Sequence, residues 1–190
     1  MAKKILIISG SPNKNGNTQI LINEFVKGAR EKGSEIEVVH AASLKYKSNG
    51  CTSCRACQRS KEYECAINDE AKPVLKRMAD VDVIVMATPL YFFSASAQLK
   101  LIFDRMFSLY KWDDAAGTME TPLKGKTFVL IGSAYEDLGL DALEAPFKIT
   151  ADYTGMPFKS LLIANAGASG DVEDKPDALR QAYEFGREIG

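Results

Sequence analysis

"SGSPNKNGNT", residues 9–18, follows the apolar run Lys4 to Ile8 and precedes a stretch in which Ile20, Leu21, Phe25 and Ala29 recur at helical spacing. A strand that ends in small and hydroxyl residues and enters a helix through Asn17-Thr18 is the first half of a strand-loop-helix unit. The N–H groups at such a helix start carry partial positive charge. They can surround an anion while Ser9, Ser11 and Thr18 add hydroxyl donors, so the loop reads as a phosphate seat. An ordinary strand-to-helix turn with an N-cap is the competing reading. Two nucleotide loops are excluded by residue. A Walker A loop needs G-x-x-x-x-G-K-[ST], yet Gly10 to Gly16 is one residue too long and Asn17 stands where the lysine belongs. Gly10, Ser11 and Pro12 do not supply the G-x-G-x-x-G of a dinucleotide fold, which leaves a phosphate monoester as the better-fitting anion.

Outward from this unit, short β-branched runs alternate with longer amphipathic stretches, the pattern of a parallel sheet with crossover helices. Five strands are expected: Lys4 to Ile8, Glu35 to Val39, Val81 to Ala87, Thr127 to Gly132 and Ser160 to Ala164. Several are apolar on both faces, as buried parallel strands should be, and only Glu35-Ile36-Glu37-Val38 alternates. Helices are expected after Asn17, around Val74 to Met78, from Ser96 to Tyr110, from Leu138 to Tyr153 and from Lys175 to Ile189, the last opened by Pro176. With 190 residues, the chain is expected to form a single α/β domain spanning residues 1–190. Its loop at about 41–69 is longer than the ~12–15 residues at which structureless loops become uncommon.

Charged residues make up 26% and nearly cancel, to a formal net charge of −1, so no basic footprint for nucleic acid or an anionic membrane is present. The apolar run before Ser9 is too short for a signal-peptide core or a membrane span, so a cytoplasmic location is expected.

In an open α/β sheet, ligands bind beyond the carboxyl ends of the strands. After the third strand comes "TPLYFFS", residues 88–94, which crowds Tyr91, Phe92 and Phe93 into one loop behind Pro89. Rings in such a loop either close the core or form a ledge for something flat. A phosphate seat and an aromatic ledge at adjacent strand ends together fit a mononucleotide with a large planar ring.

All four cysteines lie in the long loop, as "CTSCRACQRSKEYEC", residues 51–65, with the spacing C-x2-C-x2-C-x7-C. In a reducing cytoplasm a disulfide knot is the weakest reading of Cys51, Cys54, Cys57 and Cys65; ligands or redox thiols are stronger.

These segments resemble the flavodoxin-like NAD(P)H-dependent FMN reductases, and within them the iron-sulfur flavoproteins. "SGSPNKNGNT" resembles the FMN phosphate loop and "TPLYFFSASAQLKLIFDR", residues 88–105, the isoalloxazine loop with its helix. The cysteine segment resembles the family's compact cluster motif, and "GDVEDKPDALRQAYEFG" its closing helix. The resemblance implies a flavodoxin-like three-layer sandwich with a five-stranded parallel sheet in the order 2-1-3-4-5. It implies FMN phosphate on Ser9, Ser11, Pro12, Asn13, Asn17 and Thr18, and the ring against Pro89, Leu90, Tyr91, Phe92 and Ser94. Ser133, in Gly132-Ser133-Ala134-Tyr135, is then expected to flank the other side of the ring. Hydride would come from NAD(P)H, and electrons would leave to a quinone, a free flavin or a protein acceptor. The flavin carries the chemistry, so no side chain is nominated as acid or base; His40, the single histidine, reads as structural.

Three cysteines at two-residue separations surround one small volume, as a cubane cluster requires, with Cys65 as fourth thiolate. Structural zinc more often uses two pairs farther apart, so a [4Fe–4S] cluster is the better metal reading. A cysteine remnant without a cluster stays open, because the C-x7-C arm exceeds ferredoxin spacing.

Leu99, Ile102, Phe103, Met106 and Phe107 make a stripe broader than one core face, interrupted by Asp104-Arg105, as in an interface helix. With the family resemblance this implies a homodimer or homotetramer. A non-enzymatic, flavodoxin-like electron carrier is the alternative to an FMN oxidoreductase. The balance of 25 acidic against 24 basic residues favours the enzyme, since it leaves little charge for electrostatic docking of protein partners.

Overall fold

The computed structural model describes residues 2–113 and 115–190. In chain order they form β1 (Lys4–Ser9), α1 (Asn17–Glu31), β2 (Glu35–His40), α2 (Ala56–Arg59), α3 (Ala71–Met78), β3 (Val83–Tyr91), β4 (Ser94–Ala95) and α4 (Ala97–Phe103). A 3₁₀ segment, Asp104–Leu109, leads to β5 (Lys111–Asp113) and β6 (Thr118–Glu120), followed by β7 (Thr127–Ser133), α5 (Leu140–Thr154), β8 (Phe158–Ile163) and α6 (Pro176–Ile189). The parallel strands run in the order β2-β1-β3-β7-β8, the flavodoxin-like order expected, with β4 folded back antiparallel on β3. None of the described helices is long and apolar enough to cross a membrane.

Strand alternation divides the buried residues between two layers. Ile5, Ile7, Val83, Val85, Val129 and Ile131 pack against α1 and α6, while Leu6, Ile8, Ile84, Met86, Phe128 and Leu130 pack against α3, α4 and α5. In the first layer α1 and α6 touch at backbone distance. A Cβ on Gly28 would lie 2.0 Å from the Tyr183 carbonyl oxygen, and one on Gly186 2.0 Å from that of Phe25. Only glycine fits at either crossing.

Four expectations are corrected by the tertiary structure. β3 does not stop at Ala87 but continues through Pro89, the last rung toward β7, where a missing N–H is tolerated. It then turns back over Phe92 and Phe93, both at positive φ (48° and 63°), so the aromatic loop is a tight hairpin. The helix expected from Ser96 to Tyr110 is α-helical only to Phe103 and winds more tightly from Asp104 to Leu109. Within it, Leu99, Ile102 and Met106 are buried in the core and do not form an outward stripe. Asp104 and Arg105 are not a pair: Asp104 is exposed and bonded to Lys100, whereas Arg105 is 1% exposed and bonded to Asp69. The β5–β6 hairpin was not anticipated; Trp112 anchors it by stacking on Phe107 and Tyr110, at centroid distances of 4.7 and 5.6 Å.

Candidate functional site

A cleft of about 330 Å³ opens at the carboxyl ends of β1, β3 and β7, in the ~300–1,000 Å³ range of small-ligand sites. Its floor is the loop entering α1. Ser11 Oγ accepts from the Asn13 amide at 3.2 Å, Asn13 Oδ1 accepts from the Asn15 amide at 2.9 Å, and the Gly16 amide bonds the Asn13 carbonyl. Among the described residues no side chain caps α1, and its first turn holds no acidic residue. The Gln19 amide bonds the Gly16 carbonyl at 2.9 Å, while those of Asn17 and Thr18 are left for an external acceptor, with no first-turn carboxylate to oppose an anion. Gly10 lets α4 close on this loop, since a Cβ there would lie 2.5 Å from Leu99 Cβ; Ser96 Oγ bonds the Gly10 carbonyl at 2.6 Å. One wall is Pro89, Leu90 and Tyr91; the facing wall is Ser133, Ala134 and Tyr135.

Of the residues expected at the site, Ser11, Asn13, Asn17, Thr18, Pro89, Leu90, Tyr91 and Ser133 line the cleft together. Ser9, Pro12, Phe92 and Ser94 do not. Ser9 is fully buried behind the loop, its hydroxyl unpaired, and Phe92 projects from the hairpin tip at 96% exposure. Asn17 lines the cleft but its side chain is spent elsewhere. Its Nδ2 donates to the carbonyls of Ala166 (3.0 Å) and Ala168 (2.7 Å), and its Oδ1 accepts from the amides of Gly170 and Val172. Asn17 therefore staples the loop after β8 to the start of α1. Thr18 Oγ1 is 2.8 Å from Ser133 Oγ, which ties α1 to β7. Ala166, Gly167 and Ser169 complete the cleft and were missed. The signal available was "ANAGASG", a run of small residues at another strand end. Gly167 leaves room for Tyr135, whose ring would lie 2.4 Å from a Cβ there.

His40 ends β2 in register with Ser9, outside the cleft lining. Burial first, then the charge of Lys14, lowers its pKa and favours the neutral imidazole.

The four cysteines line a second, smaller cavity with Arg55, Arg105, Phe107 and Ser108. Cys51 and Cys54 are exposed; Cys57 and Cys65 are buried. Ser53 and Arg55 both take left-handed backbone, at φ 54° and 53°, which costs roughly 1–3 kcal/mol each and persists only where surroundings over-determine it. Those surroundings are visible. Lys111 Nζ donates to the carbonyls of Cys57, Ser60 (2.9 Å) and Glu62 (2.7 Å), and Gln58 Nε2 to that of Tyr110 (2.8 Å). Arg105 grips the other arm, bidentate to Asp69 at 2.8 and 2.9 Å and bonded to the Ile67 carbonyl at 3.2 Å. Hydrogen bonds from the Ala56 amide and then Thr52 lower the Cys54 pKa, favouring the thiolate that ligation requires. Among the described residues no three His, Cys, Asp or Glu side chains gather as a single-ion site.

The profile of the NADPH-dependent FMN reductase family matches residues 3–167. An iron-sulfur flavoprotein of Methanocaldococcus jannaschii is 38% identical over 102 residues, 54% of this chain and 51% of its own. The chain thus spans about half the length of the iron-sulfur flavoproteins it matches. A Bacillus subtilis protein provisionally named an NAD(P)H-dependent FMN-containing oxidoreductase is 24% identical over 182 residues, 94% of each chain. An NAD(P)H:quinone oxidoreductase from Methanothermobacter marburgensis shares the fold over 100% of both chains, with a TM-score of 0.77 at 17% identity. The profile match runs from β1 through the loop after β8, which are the segments that build the cleft, and the chain belongs to the NADPH-dependent FMN reductase family.

Proposed function

We propose that this chain is an FMN-dependent oxidoreductase that takes hydride from NADH or NADPH and delivers electrons to a quinone, a free flavin or a protein acceptor. The observation that carries this reading is the cleft itself, where an uncapped helix start without acidic residues meets a wall of Pro89, Leu90 and Tyr91. Ser11, Asn13, Thr18 and the first-turn amides of α1 would hold the phosphate; Pro89 to Tyr91 and Ser133 to Tyr135 would border the ring on its two sides. FMN bound there would supply the two-electron chemistry that links hydride donation by the nicotinamide to reduction of the acceptor. Tyr91 and Tyr135, 50% and 76% exposed, would shelter the ring from water.

The four-cysteine cavity extends the reading to a [4Fe–4S] cluster. Support comes from the four cysteines lining one cavity, the thiolate-favouring setting of Cys54, and the relatives known as iron-sulfur flavoproteins. A cubane takes one thiolate on each of its four irons, and four cysteines line this cavity.

Steady-state oxidation of NADH and NADPH with a quinone acceptor tests the activity. Turnover with at least one donor is the expected result, and none with either would leave the carrier reading in its place. Self-association as a homodimer or homotetramer belongs to the same proposal. Its surface is no longer Leu99, Ile102 and Met106 but the apolar groove of about 320 Å³ between Phe103, Phe107, Trp112, Ile149 and Tyr153, in which Ile149 is 65% exposed. Light scattering should give a multiple of 20.8 kDa, and Ile149→Glu should shift it toward the single-chain mass.

A further inference from the structure

Two buried donors that lack an oxygen or nitrogen partner among the described residues share the four-cysteine cavity. Arg105 commits Nη1 and Nη2 to Asp69 and Ile67, which leaves its Nε–H buried with no oxygen or nitrogen acceptor, and the Cys65 thiol lies beside the guanidinium. Ser108, 2% exposed, has a hydroxyl that is likewise buried and unbonded. Both residues line the cavity with Cys51, Cys54, Cys57 and Cys65. Their meeting depends on local winding: residues three apart eclipse in a 3₁₀ helix, so the tight turn from Asp104 to Leu109 aligns 105 with 108. Buried donors are almost always satisfied in folded proteins, so these two at one cavity call for a stronger acceptor than the Cys65 thiol. Neutral thiols are weak acceptors, whereas thiolates and inorganic sulfide carry charge and accept well.

We propose that Arg105 Nε and Ser108 Oγ are the positioning donors of the four-cysteine site, directed at the sulfur atoms of an anionic iron-sulfur cluster. This rests on the cluster reading above. Reduction adds negative charge to a cluster, and donors or cations at its sulfurs stabilise the reduced form more than the oxidised, which raises the reduction potential. Ser108→Ala separates this role from a structural one. In metal-free protein the variant deletes an unsatisfied buried hydroxyl, which leaves stability unchanged or raised. In cluster-loaded protein it deletes a donor.

The experiment uses full-length wild type, Ser108→Ala, and the double variant Arg105→Met/Asp69→Leu, reconstituted anaerobically with iron and sulfide. Iron, sulfide and flavin are measured per chain, the cluster potential by redox titration followed by electron paramagnetic resonance, and the metal-free melting temperature by circular dichroism. The expected result is wild-type iron loading in Ser108→Ala, a melting temperature no lower than wild type, and a more negative potential, more negative still in the double variant. A wild-type potential in Ser108→Ala overturns the role of Ser108, and a lowered metal-free melting temperature with that potential makes its hydroxyl structural. If the double variant fails to retain flavin, the Ser108→Ala potential decides alone. Wild-type protein that keeps flavin but takes up no iron or sulfide overturns the cluster reading and this inference with it; iron-loaded wild type with an unmoved potential in the variants overturns this inference alone.

Discussion

Replacing Ser11 and Thr18 together by glutamate is expected to strip the protein of flavin. Both residues line the floor of the cleft at the start of α1, 5% and 2% exposed, where the first-turn amides lack a side-chain cap. Two carboxylates there would stand against a phosphate dianion, and each unit-charge pair about 4 Å apart costs roughly 1–4 kcal/mol between water and a protein-surface dielectric. With two such residues, a loss of at least ~10³-fold in affinity follows. Flavin absorbance per chain after gel filtration reads the effect. Thr18→Val controls for folding, because it removes only the hydroxyl bonded to Ser133 and keeps the shape. Stoichiometric flavin in the double glutamate variant would refute the placement of the phosphate.

Arg105→Met is expected to be the most destabilising single substitution at the cysteine loop. It leaves the Asp69 carboxylate 1% exposed with only the Lys47 and Ala71 amides for partners, and breaking a buried pair on one side costs about 3–5 kcal/mol. Denaturant unfolding should register that loss. Arg105→Met/Asp69→Leu should recover most of it, since two well-packed apolar side chains replace a buried pair at little or no cost. A single variant as stable as wild type would mean that the pair is not holding the loop. The pair also sets a pH dependence. Burial would raise the Asp69 pKa, but hydrogen bonds from Arg105 and the Lys47 amide outweigh it and the pKa is lowered below 3.8. A lowered folded-state pKa means that this stability is fully present above 3.8 and is lost as the pH falls from there through the folded value. Arg105→Met/Asp69→Leu should lack this component of acid unfolding.

Features that a single segment encodes were legible in the sequence. Runs such as Lys4-Ile5-Leu6-Ile7-Ile8 bury both faces whatever their neighbours, so period and length identified the parallel strands, while their order was implied by the family resemblance. The loop at residues 9–18 and the cysteine spacing are likewise local, because one helix start or one short loop holds every group involved. What the tertiary structure decided concerns pairs far apart in the chain. Arg105 read as one half of an Asp104-Arg105 charge pair because the two are adjacent in the chain; its partner Asp69 lies 36 residues away and reaches it only when the cysteine loop folds over the 3₁₀ turn. Asn17 looked like a phosphate ligand because it opens α1, yet the carbonyls that consume its amide lie 149 and 151 residues on. The loop after β8, with Ala166, Gly167 and Ser169, became a wall of the cleft for the same reason. Hydrophobic period reports which face of a segment is buried, but a polar side chain's role depends on which strand ends the fold brings together, and that is a property of the assembled sheet.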